Sequence, residues 1–431
     1  MNVVVAVDEP RCAELVAELE DEGAIVLLTL APREVAQELA NAQSPLWDAL
    51  IGADVLVIPA TRGVLTPGVV AACDRSGVRI LPLGERQAEV RLARSFGLAD
   101  PMPAGAAGWQ LCEADALAPV GETQEVREGS IIAVWGPHGA PGRTTLAIEL
   151  AVELARLCDH VALVDGDTHA PAIAGLLGLA DEGPGFAAAC RQTDRDELDG
   201  AELTRLSTPL GGADGVVDVL TGINRVARWP ELSERRVQAA LAACRTWCDI
   251  TVVDVSASLE ADEEIVSDLA GPRRNAATLA ALREADLVVA VCGVDPVAVT
   301  RFVRGHSELR SVIGGTPVRT IVNRVRSGPV GLDPRGQVRR TLERFAGIDD
   351  VDFVPWDVRA SDAATLAGRP VADVAARSAL SQAVRGAARR IAVQVLPDGV
   401  LDSKRVNAQR SRVGPRSLKR IRDRMAAPAR R

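Results

Sequence analysis

Three carboxylates and one glycine-rich turn are the residues of this chain whose types and spacing can do chemistry. The turn lies in IIAVWGPHGAPGRTTLAIELAVELA, residues 131–155, where an apolar run gives way to glycines and then to a helical pattern. A strand, a glycine turn and a helix N-terminus in that order present backbone N–H groups and a positive dipole end to an anion, which is how phosphate is cradled. Gly139 and Gly142 allow the backbone to wrap oxygens closely, Ala140, Pro141, Arg143 and Thr145 complete the loop, and Thr144 sits where a hydroxyl would reach Mg²⁺. Downstream, LVDGDTHAPAIAGLLGL places Asp165 and Asp167 at the end of a strand, and ITVVDVSAS does the same for Asp254. Strand ends are where ligands of open α/β sheets collect, so Asp165 and Asp254 are candidate Mg²⁺ carboxylates. A lone acid there often only caps a helix; three in this order after a glycine loop point to a site.

The elements that must position these residues alternate in βαβ rhythm. Residues 1–100 read as short β-branched runs (NVVVAVD, AIVLLTL, ADVLVIPA, VRILPLG) separated by helical stretches, which predicts a small parallel sheet. Residues 101–128 lose periodicity and gather Pro, Gly, Ala and acids, the composition of a linker. Residues 129–395 carry six near-continuous apolar runs (IIAVWG, HVALVDGD, ITVVDVS, LVVAVCGV, RTIVNRV, VDFVPW) between long helical patterns. Such runs predict a larger, mostly parallel sheet with helices on both faces, so the fold class is α/β with two domains. Residues 396–431 are polar and arginine-rich, a composition expected to be disordered in isolation.

Composition narrows the function classes. A chain of 431 residues with 47% hydrophobic and 25% charged residues is expected to be globular, soluble and multidomain. No apolar run is long enough to cross a bilayer and the opening MNVVVAVDEP lacks a basic leader, so a cytoplasmic location is expected. The eight cysteines are scattered, with Cys244 and Cys248 alone close together, and read as buried thiols rather than as a metal or disulfide set. Lys404 and Lys419 are the only lysines, so nearly every cation is arginine. The body is acidic, whereas the tail from residue 396 carries eleven Arg or Lys against Asp398, Asp402 and Asp423.

Taken with ADLVVAVCGVDPVAVTRFV, IVNRV and VPWDVRASDAATLAGRPV, these motifs resemble the MinD/ParA family of P-loop ATPases over residues 130–393, and within it the pilus-assembly proteins of the CpaE/TadZ type. The resemblance implies an ATP- and Mg²⁺-dependent homodimer. It makes Thr144 the Mg²⁺ hydroxyl, Asp254 the Walker B carboxylate, Asp167 the residue that positions attacking water, and Asn323 a contact to adenine. The family loop reads Lys-Gly-Gly-x-Gly-Lys-Thr-Thr, and here it reads HGAPGRTT. His138 stands in place of the signature lysine that reaches across the dimer, and Arg143 in place of the phosphate lysine. Arginine keeps the charge but presents a wider planar fork, so binding is expected to tolerate the exchange better than hydrolysis. A bias against lysine accounts for Arg143 but not for His138.

Residues 1–100 resemble a response-regulator receiver that has lost its phospho-acceptor, because Pro59 or Ala60 stands where the third strand should end in aspartate; Asp8 and Glu9 then have no partner to serve. A pseudo-receiver of this kind is expected to bind protein partners. In the tail, Leu418, Ile421 and Met425 make a thin apolar stripe on an arginine-rich segment, a candidate contact for an anionic membrane surface at the inner face of the cell, for nucleic acid or for a protein. Three functions follow as expectations: a slow ATPase that dimerises on ATP and positions a pilus or secretion apparatus, a catalytically inactive nucleotide-binding scaffold, or a chromosome-partition ATPase that grips DNA non-specifically.

Overall fold

The four apolar runs at the start of the chain pair with one another, and the later ones build a second sheet. A computed structural model describes residues 1–41, 44–117, 128–180, 183–195, 197–212, 215–261, 272–328 and 331–396. Strands β1 (Asn2–Val5), β2 (Ile25–Thr29), β3 (Val55–Pro59) and β4 (Arg79–Leu83) form a parallel sheet in the order 2-1-3-4. Val4, Leu56 and Ile58 face one apolar layer, and Val3, Val5 and Val57 the other. β3 ends at Pro59 with Ala60 next, and Asp8 and Glu9 are exposed beyond the end of β1.

Part of the stretch expected to be a linker is ordered against the first sheet. Helix Gly108–Leu117 packs on helix Arg11–Asp21, with Leu111 fully buried between them and Gly108 N–H donating to Glu18 Oε2 at 2.8 Å. Before it, Met102 bridges Leu83 in parallel. The segment scans as aperiodic because Leu111 follows a run of alanines and glycines and sits among polar residues. The rest of the expected linker, 118–127, and the basic tail with Leu418, Ile421 and Met425 lie outside the described residues.

The second sheet has eight strands: β5 (Ser130–Trp135), β6 (Val161–Asp165), β7 (Thr208–Gly212), β8 (Gly215–Leu220), β9 (Ile250–Asp254), β10 (Leu287–Gly293), β11 (Val318–Val325) and β12 (Val351–Pro355). Their order is 12-11-10-5-9-6-8-7, and all are parallel except β7, which runs antiparallel to β8. β5, β6, β9 and β10 are buried almost residue for residue, as strands covered by helices on both faces must be. Successive strands after β5 go to one side and β10 to β12 to the other, so the carboxyl end of β5 is a topological switch point. The sequence reading of this sheet lacked β7 and β8. Thr-Pro-Leu-Gly-Gly has little strand preference and survives as an edge, and Asp218 interrupts the apolar run of β8.

Asp218 is buried because the two units meet there. The Arg62 guanidinium, just past β3, donates to Thr204 O at 2.8 Å and Ser207 O at 2.9 Å and pairs with Asp218 Oδ1. Asp218 Oδ2 lies 2.9 Å from His160 Nε2, and His160 Nδ1 lies 2.8 Å from Trp247 O. Burial alone would raise the Asp218 carboxyl, but the His160 hydrogen bond, with the charges of His160, Arg62 and Arg91, outweighs it and holds the group below the usual carboxylate range. Arg91 adds a second link across the junction by donating to Asp159 O at 2.7 Å.

Candidate functional site

The glycine turn leaves the carboxyl end of β5, where Trp135 is buried and donates from Nε1 to Ala257 O at 3.2 Å. Gly139 and Gly142 take φ of +81° and +80°, the left-handed region that other residues enter only at a cost, and helix Arg143–Leu154 starts directly after the second. A methyl group on Gly142 would stand 2.5 Å from Asn323 Nδ2, so the loop's backbone can close down only because that position has no side chain. Thr144 and Thr145 open the helix, as the sequence indicates, and Ala140 and Pro141 lie in the turn between the glycines.

The three carboxylates converge on this loop but are not equivalent. Asp165 and Asp254 are register partners at the ends of β6 and β9. Asp165 Oδ2 accepts from Ala172 N and Ile173 N, each at 3.0 Å, and Oδ1 accepts from Asp167 N at 3.3 Å. Both of its oxygens thus accept from backbone amides, which anchors the segment after β6. Asp254 is 1% exposed, and neither of its oxygens has a hydrogen-bond partner among the described residues. Burial, and after it the charge of Asp165, drives its carboxyl well above the usual range; the nearby Thr144 hydroxyl opposes this, although no bond of good geometry reaches either oxygen.

Asp167 Oδ1 accepts from His169 N at 2.8 Å and Ala170 N at 3.0 Å, which leaves Oδ2 facing Arg143 Nη2 at 3.6 Å. Arg143 also donates from Nη1 to Gly136 O at 2.9 Å, so its guanidinium folds back over its own loop. His138 is exposed and has no hydrogen bond among the described residues. Asn323, expected at the adenine, donates from Nδ2 to Pro141 O at 2.9 Å and accepts from Arg324 N at 2.9 Å. Its amide ties β11 to the loop, and the residue after it, Arg324, has a φ of +54°.

The arrangement fits a nucleotide phosphate chain with Mg²⁺. Asp254 is an orphaned buried carboxylate beside a hydroxyl, and the left-handed glycines leave a cradle that side chains would fill. Among the described residues no group of three or more His, Cys, Asp or Glu could hold a metal on its own. Mg²⁺ takes one or two protein oxygens and completes its octahedron with phosphate and water. Two residues beside the site carry no signal in the loop motif. Glu149, on the loop's helix, accepts from Val371 N at 2.5 Å and Ala372 N at 2.8 Å, and Arg301 lies against Gly139 from helix Pro296–Ile313. A buried Glu inside an apolar helix pattern was visible in RTTLAIELAVELA, but its partner 222 residues away was not.

No family model matches the chain. It is 24% identical over 270 residues to the antiactivator FleN of Pseudomonas aeruginosa, covering 62% of this chain and 88% of FleN. Among solved structures, a ParA family ATPase from Chlorobium tepidum is 17% identical with a TM-score of 0.49, covering 61% of this chain and 99% of its own. The cell division ATPase MinD of Pyrococcus furiosus is 18% identical with a TM-score of 0.48, covering 61% of this chain and 98% of its own.

Proposed function

We propose that this chain, a MinD/ParA-type P-loop ATPase, is a nucleotide-dependent switch that positions or regulates a partner assembly. The observation that carries the reading is Asp254, whose buried oxygens have no partner beside Thr144 and the phosphate loop. A buried carboxylate left in this state is costly unless a cation takes it up, and nothing else in the described residues does so. In this reading Thr144 and Asp254 hold Mg²⁺, the backbone of residues 139–145 cradles phosphate, and Asp167, whose Oδ2 faces Arg143, orients water. ATP with Mg²⁺ supplies the transferable phosphoryl group. Catalysis of this kind needs positioning and charge more than covalent help, and these residues offer both.

The similarity to FleN, which is named as an antiactivator, supports a task performed by contacting another protein. The motifs shared with CpaE/TadZ-type proteins and the receiver-like first unit support assembly of a pilus or secretion apparatus, with ATP setting a dimer and the basic tail meeting an anionic membrane surface. A second reading, a scaffold that binds nucleotide without cleaving it, draws support from Arg143, which is tied to Gly136 O and Asp167 rather than held open. Equilibrium binding of Mg²⁺-ATP and Mg²⁺-ADP to the full chain tests both. Micromolar binding that Asp254→Ala and Arg143→Ala each weaken supports the site, turnover at saturating ATP then separates switch from scaffold, and binding of neither nucleotide refutes both.

A further inference from the structure

Helix Pro296–Ile313 lies along the phosphate loop and brings to it a cation that has no partner among the described residues. The contact can be followed turn by turn. A methyl built on Gly305 would stand 3.3 Å from Pro137 Cβ, and one built on Gly293, just before the helix, 3.3 Å from Pro141 Cδ. Between these two points, a methyl on Gly139 would stand 2.6 Å from Arg301 Nη1. Residues 301 and 305 share one helix face, and that face runs beside the loop from Pro137 to Pro141. Asp295 fixes the start of the helix by accepting from Ala298 N at 3.0 Å, with Pro296 in the first turn. The position of Arg301 is therefore set by a capped helix and close packing, not by an ion pair of its own. Among the described residues its exposed guanidinium has no hydrogen bond or ion-pair partner.

The charge balance of the site leaves room for such a group. Asp165, Asp167 and Asp254 crowd the loop against the single guanidinium of Arg143, which is already 3.6 Å from Asp167 and bonded to Gly136 O. An added polyanion needs positive charge that is not already spent on protein carboxylates. His138 is not a permanent cation, so the loop itself supplies no second one. We propose that Arg301 is a phosphate-binding residue of this site, supplying from outside the loop a second fixed charge beside that of Arg143. The proposal rests on the nucleotide reading above and assigns a contact that the loop motif does not contain.

The test is equilibrium binding of Mg²⁺-ATP and Mg²⁺-ADP to full-length wild type, Arg301→Ala and Arg301→Lys, with the thermal midpoint of each protein measured without nucleotide. Loss of one charge-assisted contact predicts roughly tenfold weaker ATP binding in Arg301→Ala, partial recovery in Arg301→Lys, and unchanged ligand-free midpoints. ATP binding in Arg301→Ala equal to wild type would overturn the assignment of Arg301 and leave the site intact. A weakening accompanied by a lowered ligand-free midpoint in both variants would also overturn it, since Arg301 would then only be bracing the loop. No nucleotide binding by the wild type would overturn the reading of the site itself, and the role of Arg301 with it.

Discussion

Asp165 and Asp254 stand opposite each other on neighbouring parallel strands, and only Asp165 is satisfied. The backbone amides of residues 172 and 173 settle its charge, while Asp254 faces the site with both oxygens free. Burial raises both carboxyls, the charge of Asp167 adds to it at Asp165, and the charge of Asp165 adds to it at Asp254. Mg²⁺ with nucleotide should therefore raise the thermal midpoint of the wild type, by about 2.7 kcal/mol of stability at a hundredfold excess over the dissociation constant. Asp254→Asn should abolish that gain in a thermal scan with and without ligand, and a gain of equal size in the variant would remove Asp254 from the metal site.

Glu149 predicts a dependence on pH. Burial pushes its carboxyl up from 4.5 to about 7, against the opposing pull of the Val371 and Ala372 amides. Because the folded value is the higher one, the contribution of Glu149 to stability is fully present below pH ~4.5 and is lost as the pH rises through about 7. The loss amounts to roughly 3 kcal/mol for a shift of this size. Urea unfolding at pH 5 and pH 8 should show a smaller difference for Glu149→Gln than for the wild type.

Gly142 predicts a backbone effect. Alanine there must hold a φ of +80° and crowd Asn323 Nδ2 at 2.5 Å, which together should cost at least about 2 kcal/mol. Gly175, with open space around it and an ordinary φ, should tolerate alanine with no loss. Chemical denaturation of the two variants decides this, and equal stability would contradict the tight closure of the loop.

Arg62 predicts a cost at the junction. Arg62→Ala leaves Asp218 buried with His160 and the charge of Arg91, and Thr204 O and Ser207 O without this donor, which should remove about 2 kcal/mol of stability. Arg62→Lys should not restore it, because the three acceptors need a planar fork rather than a single ammonium. Unfolding monitored separately at Trp47 of the first unit and at Trp247 of the second would show whether the two transitions part company.

Much of this was legible in the residues. Continuous apolar runs revealed β5, β6, β9 and β10, because strands buried on both faces have no polar positions to hide them, and β-branched apolar runs revealed β1 to β4, the exposed edge strand β2 among them. The glycines of the loop announced its left-handed turns, since only glycine takes a φ near +80° cheaply. What escaped were features held by partners distant in the chain. β8 carries an aspartate that looks solvated until Arg62 and His160 are brought to it. Asp165 and Asp254 look alike in sequence, and the amides of residues 172 and 173 set their surroundings apart. Arg301 reads as one exposed arginine among many until its helix is laid along the loop.

The junction and the site share a strand. Asp218, which receives Arg62, lies on β8, and just beyond the end of β8 a methyl on Gly222 would stand 2.8 Å from Asp165 Cγ. The short span from 218 to 222 therefore answers at one end to the first unit and at the other to the carboxylates, and Gly222 leaves it no slack. The two units are consequently not interchangeable modules. A chimera that grafts the first unit onto another second unit needs a buried Asp–His pair waiting for Arg62, and recombination that separates them would strand a charge in the interior a few residues from the contact of Gly222 with Asp165.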